Sequence, residues 1–255
     1  MPENRKAIIC RRVYKVKRDA HCRTKMFKAR LVAQGFSQVY GMDYDEVFAP
    51  VAKQTTLRIL LAIAAEWNRT VYHLDAETAF LNGKLDETIY MKQSPGFVEV
   101  SKEGYVCKLR KSIYGLKQFT RVWNKALHDV LIEFGLQQSK HDQCLYTKFE
   151  EKNVLYVIIY VDNILASTSN DCMSQSLENV LYNKFGVQNL GEVNHYLGIQ
   201  IERDNQSYYR ISQMAYIARV IQGVQLANAK TFEMPLSVAY EGGGEAQLLQ
   251  NNEIF

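Results

Sequence analysis

The feature that most constrains the fold of this chain is a pair of β-type runs separated by two polar residues. The runs VLYVIIYV, at 154–161, and ILA, at 164–166, are rich in β-branched residues, and only Asp162 and Asn163 lie between them. Both of these residue types tolerate the left-handed backbone that a short turn requires. The sequence therefore predicts a tight antiparallel hairpin with two polar side chains at its tip.

Three helices are predicted from apolar residues at intervals of three and four. They are expected at 55–67, at 123–134 and between 170 and 186, and Thr55 or Thr56 can cap the first of them. Further β-type runs lie between the helices without a strict strand–helix–strand alternation. This pattern favours an α+β fold over a doubly wound one.

Composition excludes several classes of protein. The 255 residues are 47% hydrophobic and 23% charged and include only 4 prolines, so the chain is not disordered, collagen-like or a coiled coil as a whole. No apolar run approaches the roughly 18 to 20 residues that cross a bilayer. The first residues also lack the apolar region of a secretion signal. We therefore expect an intracellular protein without membrane contact, and the five scattered cysteines are expected to be reduced.

Charge is distributed unevenly along the chain. Residues 1–30 contain eleven basic and two acidic residues, whereas the remainder contains 20 basic and 25 acidic residues. Such a basic segment favours contact with a polyanion. On the evidence of charge only, a solvated charged face accounts for this distribution equally well.

Two carboxylates are candidates for a metal site. Asp75 ends the strand-like run TVYHLD, and Asp162 lies in the predicted hairpin turn. Acidic side chains at the ends of adjacent strands provide the oxygen ligands that Mg²⁺ prefers, and two such ions can bind phosphate oxygens. From its position alone, however, Asp162 is more simply a turn residue.

A series of motifs then identifies a family. The order KARLVAQGFSQ, HLDAETAFLNG, SIYGLKQ, YVIIYVDN, LGEVNHYLGIQ and ISQMAYIARVI, which extends over about residues 5–237, is that of copia-type retrotransposon polyproteins. The chain resembles their reverse transcriptase domain. The integrase, protease and RNase H regions that accompany this domain in such polyproteins have no counterpart in the sequence, so we expect a fragment of that architecture. The resemblance favours a cytoplasmic over a nuclear location.

The resemblance implies an RNA-directed DNA polymerase of right-hand architecture. Fingers would comprise about residues 1–57 and 85–118, and a palm, with an antiparallel sheet and helices packed on one side, about 58–84 and 119–195. The start of a thumb would follow at about 196–237. The last residues, 238–255, begin with a glycine-rich stretch and are expected to form a flexible tail.

The resemblance also assigns the residues of the catalytic centre. Asp75 and Asp162 would be catalytic, metal-binding carboxylates, and the backbone carbonyl of Ala76 would face a metal as well. Two Mg²⁺ ions, or Mn²⁺, would activate the primer 3′-hydroxyl and stabilise the leaving pyrophosphate. The partners would be a primed RNA or DNA template and deoxynucleoside triphosphates.

Five further residues are implied to bind the nucleotide. Phe80 would exclude a ribose 2′-hydroxyl, and Arg30, with Lys28 as the weaker candidate, would contact the triphosphate. Tyr114 and Gly115 would lie beneath the incoming nucleotide, where glycine permits close backbone approach. The structural alternatives are a core aromatic residue at Phe80 and solvated charges at Arg30 and Lys28.

A basic stretch at 102–125 adds candidates for nucleic-acid contact because its lysines and arginines alternate with aromatic residues. Trp123 belongs to this stretch. However, it also begins an apolar helical stripe, which favours a place in the core.

The sequence departs from the family pattern at three positions. The hairpin reads YVDN in place of YVDD, so Asn163 brings no negative charge to a site where two divalent cations about 4 Å apart would repel each other by roughly 16 kcal/mol. We expect a loss in rate on the order of 100-fold or more. Phe119 follows Lys-Gln where the family has small residues, which adds bulk near the nucleotide, and Arg12 replaces an apolar tryptophan. Two hypotheses remain: a polymerase domain impaired at Asn163, and a catalytically inactive transposon relict that at most binds nucleic acid.

Overall fold

The computed structural model describes residues 1–2, 4–18, 23–76 and 81–226. They belong to two compact units, Met1–Val193 and Asn194–Phe255, and the second is described as far as residue 226. The first unit contains β1 (Cys10–Arg18), β2 (Thr24–Ala33), α1 (Gln54–Glu66), β3 (Val71–Ala76), β4 (Tyr90–Lys92), β5 (Val106–Lys108), α2 (Phe119–Glu133), β6 (Gln137–Gln138), β7 (Leu145–Glu150), β8 (Asn153–Tyr160), β9 (Asn163–Thr168), α3 (Asp171–Phe185) and β10 (Val187–Glu192). The second contains β11 (His195–Tyr196), β12 (Ile199–Arg203), β13 (Tyr209–Ser212) and α4 (Met214–Gly223).

A six-stranded sheet forms the centre of the first unit. Its strand order is β10-β3-β9-β8-β7-β6, and every pair of neighbours is antiparallel. Since side chains alternate between the two faces of a strand, one face presents the residues of a continuous apolar cluster. The predicted mixture of helices with an antiparallel sheet is confirmed.

Helices α2 and α3 pack on that face of the sheet. Trp123, Leu127 and Leu131 of α2 and Leu177 and Leu181 of α3 are all buried in the cluster. These residues follow the spacing that predicted the two helices, because positions three and four apart share one side of a helix. Both predicted helices are confirmed, although α2 begins at Phe119, four residues before the predicted start.

Helix α1 lies on the opposite face. A groove of about 310 Å³ is lined by Ile59 and Ile63 of α1 and by Leu145 and Tyr156 of the sheet. The neighbours of these two sheet residues, Tyr146 and Leu155, point to the other face and belong to the cluster under α2 and α3. The expectation that the helices pack on one side is therefore wrong for α1. The physical reason is that both faces of the inner strands are apolar and need cover: Ile158 and Leu165, on the α1 side, are fully buried.

The start of α1 also differs from the prediction. The helix begins at Gln54 after Lys53, whose side chain makes no capping hydrogen bond. Instead, Asp142, from the loop before β7, accepts hydrogen bonds from the Lys53 amide at 3.1 Å and from the Thr56 hydroxyl at 2.5 Å. The cap at Thr55 or Thr56 was wrong because both threonines lie inside the helix, and at its start the Asp142 carboxylate accepts from the Lys53 amide instead.

The predicted hairpin forms, but its turn is displaced by one residue. Strand β8 ends at Tyr160 and β9 begins at Asn163, which pair with each other, so Val161 and Asp162 form the turn. Asn163 belongs to the ladder because it also pairs with Asp75 of β3. Val161 consequently adopts a φ of 55°, an unusual left-handed conformation for a β-branched residue.

The amino-terminal segment forms a separate two-stranded hairpin, β1–β2. Its base joins the short β4–β5 sheet through a second apolar cluster that includes Ile8, Ala33, Ile89 and Met91. The second unit is an antiparallel three-stranded sheet, β11–β12–β13, followed by α4. Within the described ranges, no helix has the length and apolar character to cross a membrane.

Candidate active site

The two predicted catalytic carboxylates lie at the same end of the central sheet. Asp75 is the penultimate residue of β3, and Asp162 lies in the turn between β8 and β9. The Ala76 amide donates a hydrogen bond to the backbone carbonyl of Asp162 at 3.1 Å, and Asp75 is paired with Asn163. The structure thus brings Asp75, Ala76, Asp162 and Asn163 together, although the two carboxylates are 87 positions apart in sequence.

Asn163 is hydrogen-bonded on both sides of its amide. Its Nδ2 donates to Asp162 Oδ1 at 3.1 Å, and its Oδ1 lies 2.9 Å from His73 Nε2. His73 shares a sheet face with Asp75, because the two residues are two positions apart on β3. The nitrogen of the Asn163 amide, rather than its oxygen, therefore faces the candidate metal-binding carboxylate.

The carboxylate oxygens at this end of the sheet are suitable ligands for Mg²⁺ or Mn²⁺. Magnesium is commonly held by one or two carboxylates and completes its coordination with water and substrate phosphates. Asp75 and Asp162 supply two carboxylates of this kind. In the part of the chain that the structure describes, this end of the sheet included, no cluster of three or more His, Cys, Asp or Glu side chains could hold a metal ion.

Trp123 holds the turn that carries Asp162. Its indole N–H donates to the Val161 carbonyl at 2.6 Å, and its ring meets Phe185 edge to face at 4.9 Å. Only 1% of the residue is exposed. The core interpretation of Trp123 is confirmed and the nucleic-acid contact is wrong, because the periodicity of α2 places this ring beneath the sheet. The hydrogen bond gives this core residue a direct link to the site.

The candidate phosphate-binding residues share one face of the β1–β2 hairpin. Val13 is paired with Arg30 and Lys15 with Lys28, so Arg11, Lys15, Lys28 and Arg30 project to the same side. Like charges that are directly opposite, as in the Lys15–Lys28 pair, destabilise a hairpin unless an anion lies between or above them. This face is therefore suited to a polyanion.

The structure also brings Arg30 to Tyr114 and Gly115. The Arg30 guanidinium lies over the Tyr114 ring at 5.1 Å, and the Ala33 amide donates to the Tyr114 carbonyl at 2.7 Å. The Arg30 Nε is buried and has no hydrogen-bond partner among the described residues. A buried donor of this kind is rare without a ligand or water to accept its hydrogen bond.

Gly115 allows a close approach, but the approach is between two segments of the chain itself. Gly115 has a φ of +89°, and a Cβ built there would lie 2.0 Å from the carbonyl oxygen of Ala33. The backbone of β2 therefore requires a glycine at this position whether or not a nucleotide is bound. Phe80, the predicted discriminator of the sugar, lies outside the described residues.

Sequence reasoning missed a buried glutamine network beside this region. Gln38 Nε2 donates to Gln118 Oε1 at 3.0 Å, the Lys117 amide donates to Gln38 Oε1 at 2.7 Å, and Gln118 Nε2 donates to the Asp43 carbonyl at 2.8 Å. The network ties the start of α2 to the loop after β2. Isolated glutamines in loops carry no sequence signal for such a role, whereas the two-residue spacing of His73 and Asp75 could have indicated His73.

Two of the departures from the family pattern are accommodated by packing. Phe119 is partly buried against both apolar clusters, so its ring fills the junction between them. The Arg12 guanidinium lies 3.1 Å from the Phe97 ring centroid and its Nε donates to the Ser94 hydroxyl. A cation–π contact therefore gives Arg12 an aromatic anchor of its own.

The basic stretch at 102–125 is partly neutralised. Its lysines and arginines include three that form ion pairs with carboxylates, Lys102 with Glu99, Arg121 with Glu46 and Lys125 with Asp86. The Arg11–Lys15–Lys28–Arg30 face is therefore the clearer candidate for binding phosphate.

Comparison with known proteins gives a consistent set of relatives. A family model described as "Reverse transcriptase (RNA-dependent DNA polymerase)" matches residues 1–238. The chain is 38% identical over 239 residues to the retrovirus-related Pol polyprotein from transposon TNT 1-94 of Nicotiana tabacum, a match that covers 93% of this chain and 18% of that protein. The corresponding proteins from transposons RE1 and RE2 of Arabidopsis thaliana are 35% and 34% identical, over 89% and 90% of this chain and 16% of each relative. The chain thus spans less than a fifth of the length of these relatives.

Proposed function

Since the chain belongs to the reverse transcriptase (RNA-dependent DNA polymerase) family and corresponds to that domain of copia-type retrotransposon polyproteins, we propose that it transfers deoxynucleotides to a DNA primer on an RNA or DNA template. The observation that carries the proposal is the junction of β3 with the β8–β9 turn. There, the Ala76–Asp162 backbone hydrogen bond and the Asp75–Asn163 pair place two carboxylates at one sheet end.

A right-hand architecture follows from the proposal. The palm would comprise about 58–84 and 119–195, and so contain the central sheet with α2 and α3. The fingers would comprise about 1–57 and 85–118, with the β1–β2 hairpin and the β4–β5 sheet. The start of a thumb would be at about 196–237, close to the division between the two compact units at residue 193. Residues 238–255, the proposed tail, lie outside the described part.

The catalytic role of the site would be to hold metal ions and the reacting groups in line. Asp75, Asp162 and the Ala76 carbonyl would hold two Mg²⁺ or Mn²⁺ ions, which when bound would activate the primer 3′-hydroxyl and stabilise the leaving pyrophosphate. The 3′-oxygen forms a bond to the α-phosphorus, the bond to the β-phosphate oxygen breaks, and the hydroxyl proton passes to solvent. The chain contributes the placement of its two carboxylates near each other, which depends on the Asp75–Asn163 pair and on the hydrogen bond from the Ala76 amide to the Asp162 carbonyl.

Arg30 would bind the triphosphate. Its buried Nε has an unused hydrogen-bond capacity, and a guanidinium matches phosphate oxygens with a planar set of donors. Lys28 would add positive charge from the same hairpin face. Tyr114 would support the guanidinium from below, Gly115 would keep this segment against β2, and Phe80 would exclude a ribose 2′-hydroxyl.

Asn163 would make the domain slow. The Asn163 Nδ2 donates a hydrogen bond to Asp162, and the Asn163 Oδ1 is hydrogen-bonded to His73. Asn163 therefore contributes neither a charge nor a free oxygen to a metal ion. The alternative function, an inactive relict that at most binds nucleic acid, is favoured by this same observation. The two functions differ in whether residual metal-dependent transfer persists.

The polymerase function and the relict are distinguished by extension of a labelled DNA primer on an RNA template with Mg²⁺ or Mn²⁺. The natural chain is compared with Asn163→Asp, Asp75→Ala and Asp171→Asn, an exposed control at the other end of β9. We expect slow extension that Asp75→Ala abolishes, that Asn163→Asp accelerates on the order of 100-fold, and that Asp171→Asn leaves unchanged. Silence of both the natural chain and Asn163→Asp, with intact unfolding transitions, would establish the relict.

A further inference from the structure

We propose that His73 is a positioning residue that orients the Asp162 carboxylate through the amide of Asn163. The two hydrogen bonds that carry this proposal are His73 Nε2 to Asn163 Oδ1, 2.9 Å, and Asn163 Nδ2 to Asp162 Oδ1, 3.1 Å. The proposal rests on the proposed catalytic function of Asp162. It assigns a role to a histidine outside the nucleotide-binding residues and explains what Asn163 does in this chain.

The direction of both hydrogen bonds follows from the chemistry of the three groups. An ionised carboxylate only accepts hydrogen bonds, so the Asn163 amide must turn its NH₂ group toward Asp162. Its oxygen then faces His73, and His73 must carry a proton on Nε2 to donate to that oxygen. The three side chains therefore form a chain of two hydrogen bonds, in which His73 donates to Asn163 and Asn163 donates to Asp162. Each of these bonds polarises the other.

The backbone ladder makes this contact possible. His73 is paired with Leu165 and Asp75 with Asn163, so His73 and Asn163 are diagonal neighbours on the same face of β3 and β9. Diagonal neighbours in an antiparallel pair are within reach of long or aromatic side chains. The contact is thus fixed by two strands of the sheet rather than by a mobile loop.

We call these two hydrogen bonds, from His73 to Asn163 and from Asn163 to Asp162, the relay. Without the His73 donor the Asn163 oxygen loses its partner, so the amide can rotate away and its NH₂ group no longer holds Asp162 Oδ1 in one place. Asp162 would then leave its position at the metal site for part of the time. We expect this to slow the chemical step and to weaken metal binding, without changing how the triphosphate is held by the β1–β2 hairpin.

The first test compares His73→Leu with His73→Gln, whose side-chain NH₂ group can replace the Nε2 donor. We expect His73→Leu to lower kcat about tenfold, with the KM for the nucleotide unchanged, and His73→Gln to restore kcat to within about twofold. His141→Leu, an exposed histidine in the loop before β7, is the matched control and should have no effect. In an Asn163→Ala background, His73→Leu should cause no further loss, because the relay is already absent.

A second measurement does not depend on polymerase activity. Mn²⁺ affinity, followed by electron paramagnetic resonance, should fall about tenfold in His73→Leu, remain near the natural value in His73→Gln, and be lost in Asp75→Ala. Long-range ¹H–¹⁵N couplings at pH 8 report which ring nitrogen of His73 is protonated, and we expect the proton on Nε2.

The outcomes separate this proposal from the proposed function. If Asp75→Ala removes Mn²⁺ binding but His73→Leu and His73→Gln match the natural chain in both assays, the positioning role is overturned and the polymerase site remains. Equal losses in His73→Leu and His73→Gln, or a His73 ring with its only proton on Nδ1, would also overturn it. If Asp75→Ala retains Mn²⁺ binding and no variant extends a primer, the proposed function fails and the positioning role fails with it.

Discussion

Replacing Asp142 with alanine should strongly destabilise the first unit, because one buried carboxylate satisfies three donors. Asp142 Oδ2 accepts from the Lys53 amide at 3.1 Å and from the Thr56 hydroxyl at 2.5 Å, and Oδ1 accepts from the Cys144 amide at 2.9 Å. The residue is 6% exposed. Its removal leaves the first turn of α1 without a cap and a buried amide at Cys144 without an acceptor.

The magnitude can be estimated from these contacts. A hydrogen bond to a charged group contributes about 1.5 to 3 kcal/mol, and an N-cap about 0.5 to 2 kcal/mol. Because the three contacts share one carboxylate and are not additive, we expect a loss of about 3 to 5 kcal/mol in the free energy of unfolding. A unit of this size loses about 2 to 4 °C of melting temperature per kcal/mol, so the midpoint should fall by about 10 °C.

Urea and thermal unfolding followed by circular dichroism measure this loss. Asp142→Asn, which retains one acceptor oxygen and removes the charge, should lose about half as much. Asp86→Ala is the matched control: its ion pair with Lys125 is exposed, so the loss should stay below about 1 kcal/mol. A loss of less than about 1 kcal/mol in Asp142→Ala would refute the assignment of Asp142 as the cap of α1.

The pH dependence provides a further check. Burial alone would raise the pKa of Asp142, but the hydrogen bonds from Thr56, Cys144 and Lys53, together with the charge of Lys53, outweigh burial and lower that pKa below 3.8. A carboxyl whose pKa is lower in the folded state stabilises the fold above its unfolded pKa, and that stabilisation is lost as the pH falls through the folded pKa. The stability difference between the natural chain and Asp142→Asn should therefore be constant near neutral pH and shrink below about pH 4.

Three further substitutions test the site. Trp123→Phe keeps the ring but removes the donor to the Val161 carbonyl, so urea unfolding should show a loss of about 1 to 3 kcal/mol and steady-state primer extension a lower kcat. Gly115→Ala should cost at least about 2 kcal/mol in the same unfolding assay, because its φ is positive and the added Cβ would collide with the Ala33 carbonyl. Arg30→Gln should raise the KM for the nucleotide about tenfold with little change in kcat; an unchanged KM would show that Arg30 does not bind the triphosphate.

The local elements of the fold could be predicted from sequence because their signals are local. The apolar spacing in α2 and α3 appears within a single helix, and the hairpin is signalled by two β-type runs with a short polar separation. The turn itself was misplaced by one residue, since the pairing of Asn163 with Asp75 on β3 fixes the register. That pairing involves a strand almost ninety residues away along the chain.

The candidate site divides in the same way. Asp75, Asp162 and the altered Asn163 could be named from their motifs, and the family relation follows from the order of those motifs. That His73 would hold the oxygen of the Asn163 amide could not be inferred, because the two residues are 90 positions apart in sequence.

The sequence by itself determined the β8–β9 hairpin, the helices α1, α2 and α3, the family, and the identity of the two carboxylates, because each depends on residue types at short spacing. Only the tertiary structure decided that Asp142 caps α1, that Trp123 holds the Val161 carbonyl, and that β2 requires a glycine at 115. These contacts join side chains or backbones from distant segments. Which residues meet in such contacts depends on how the strands and helices pack. Residue patterns at short spacing contain no information about that packing.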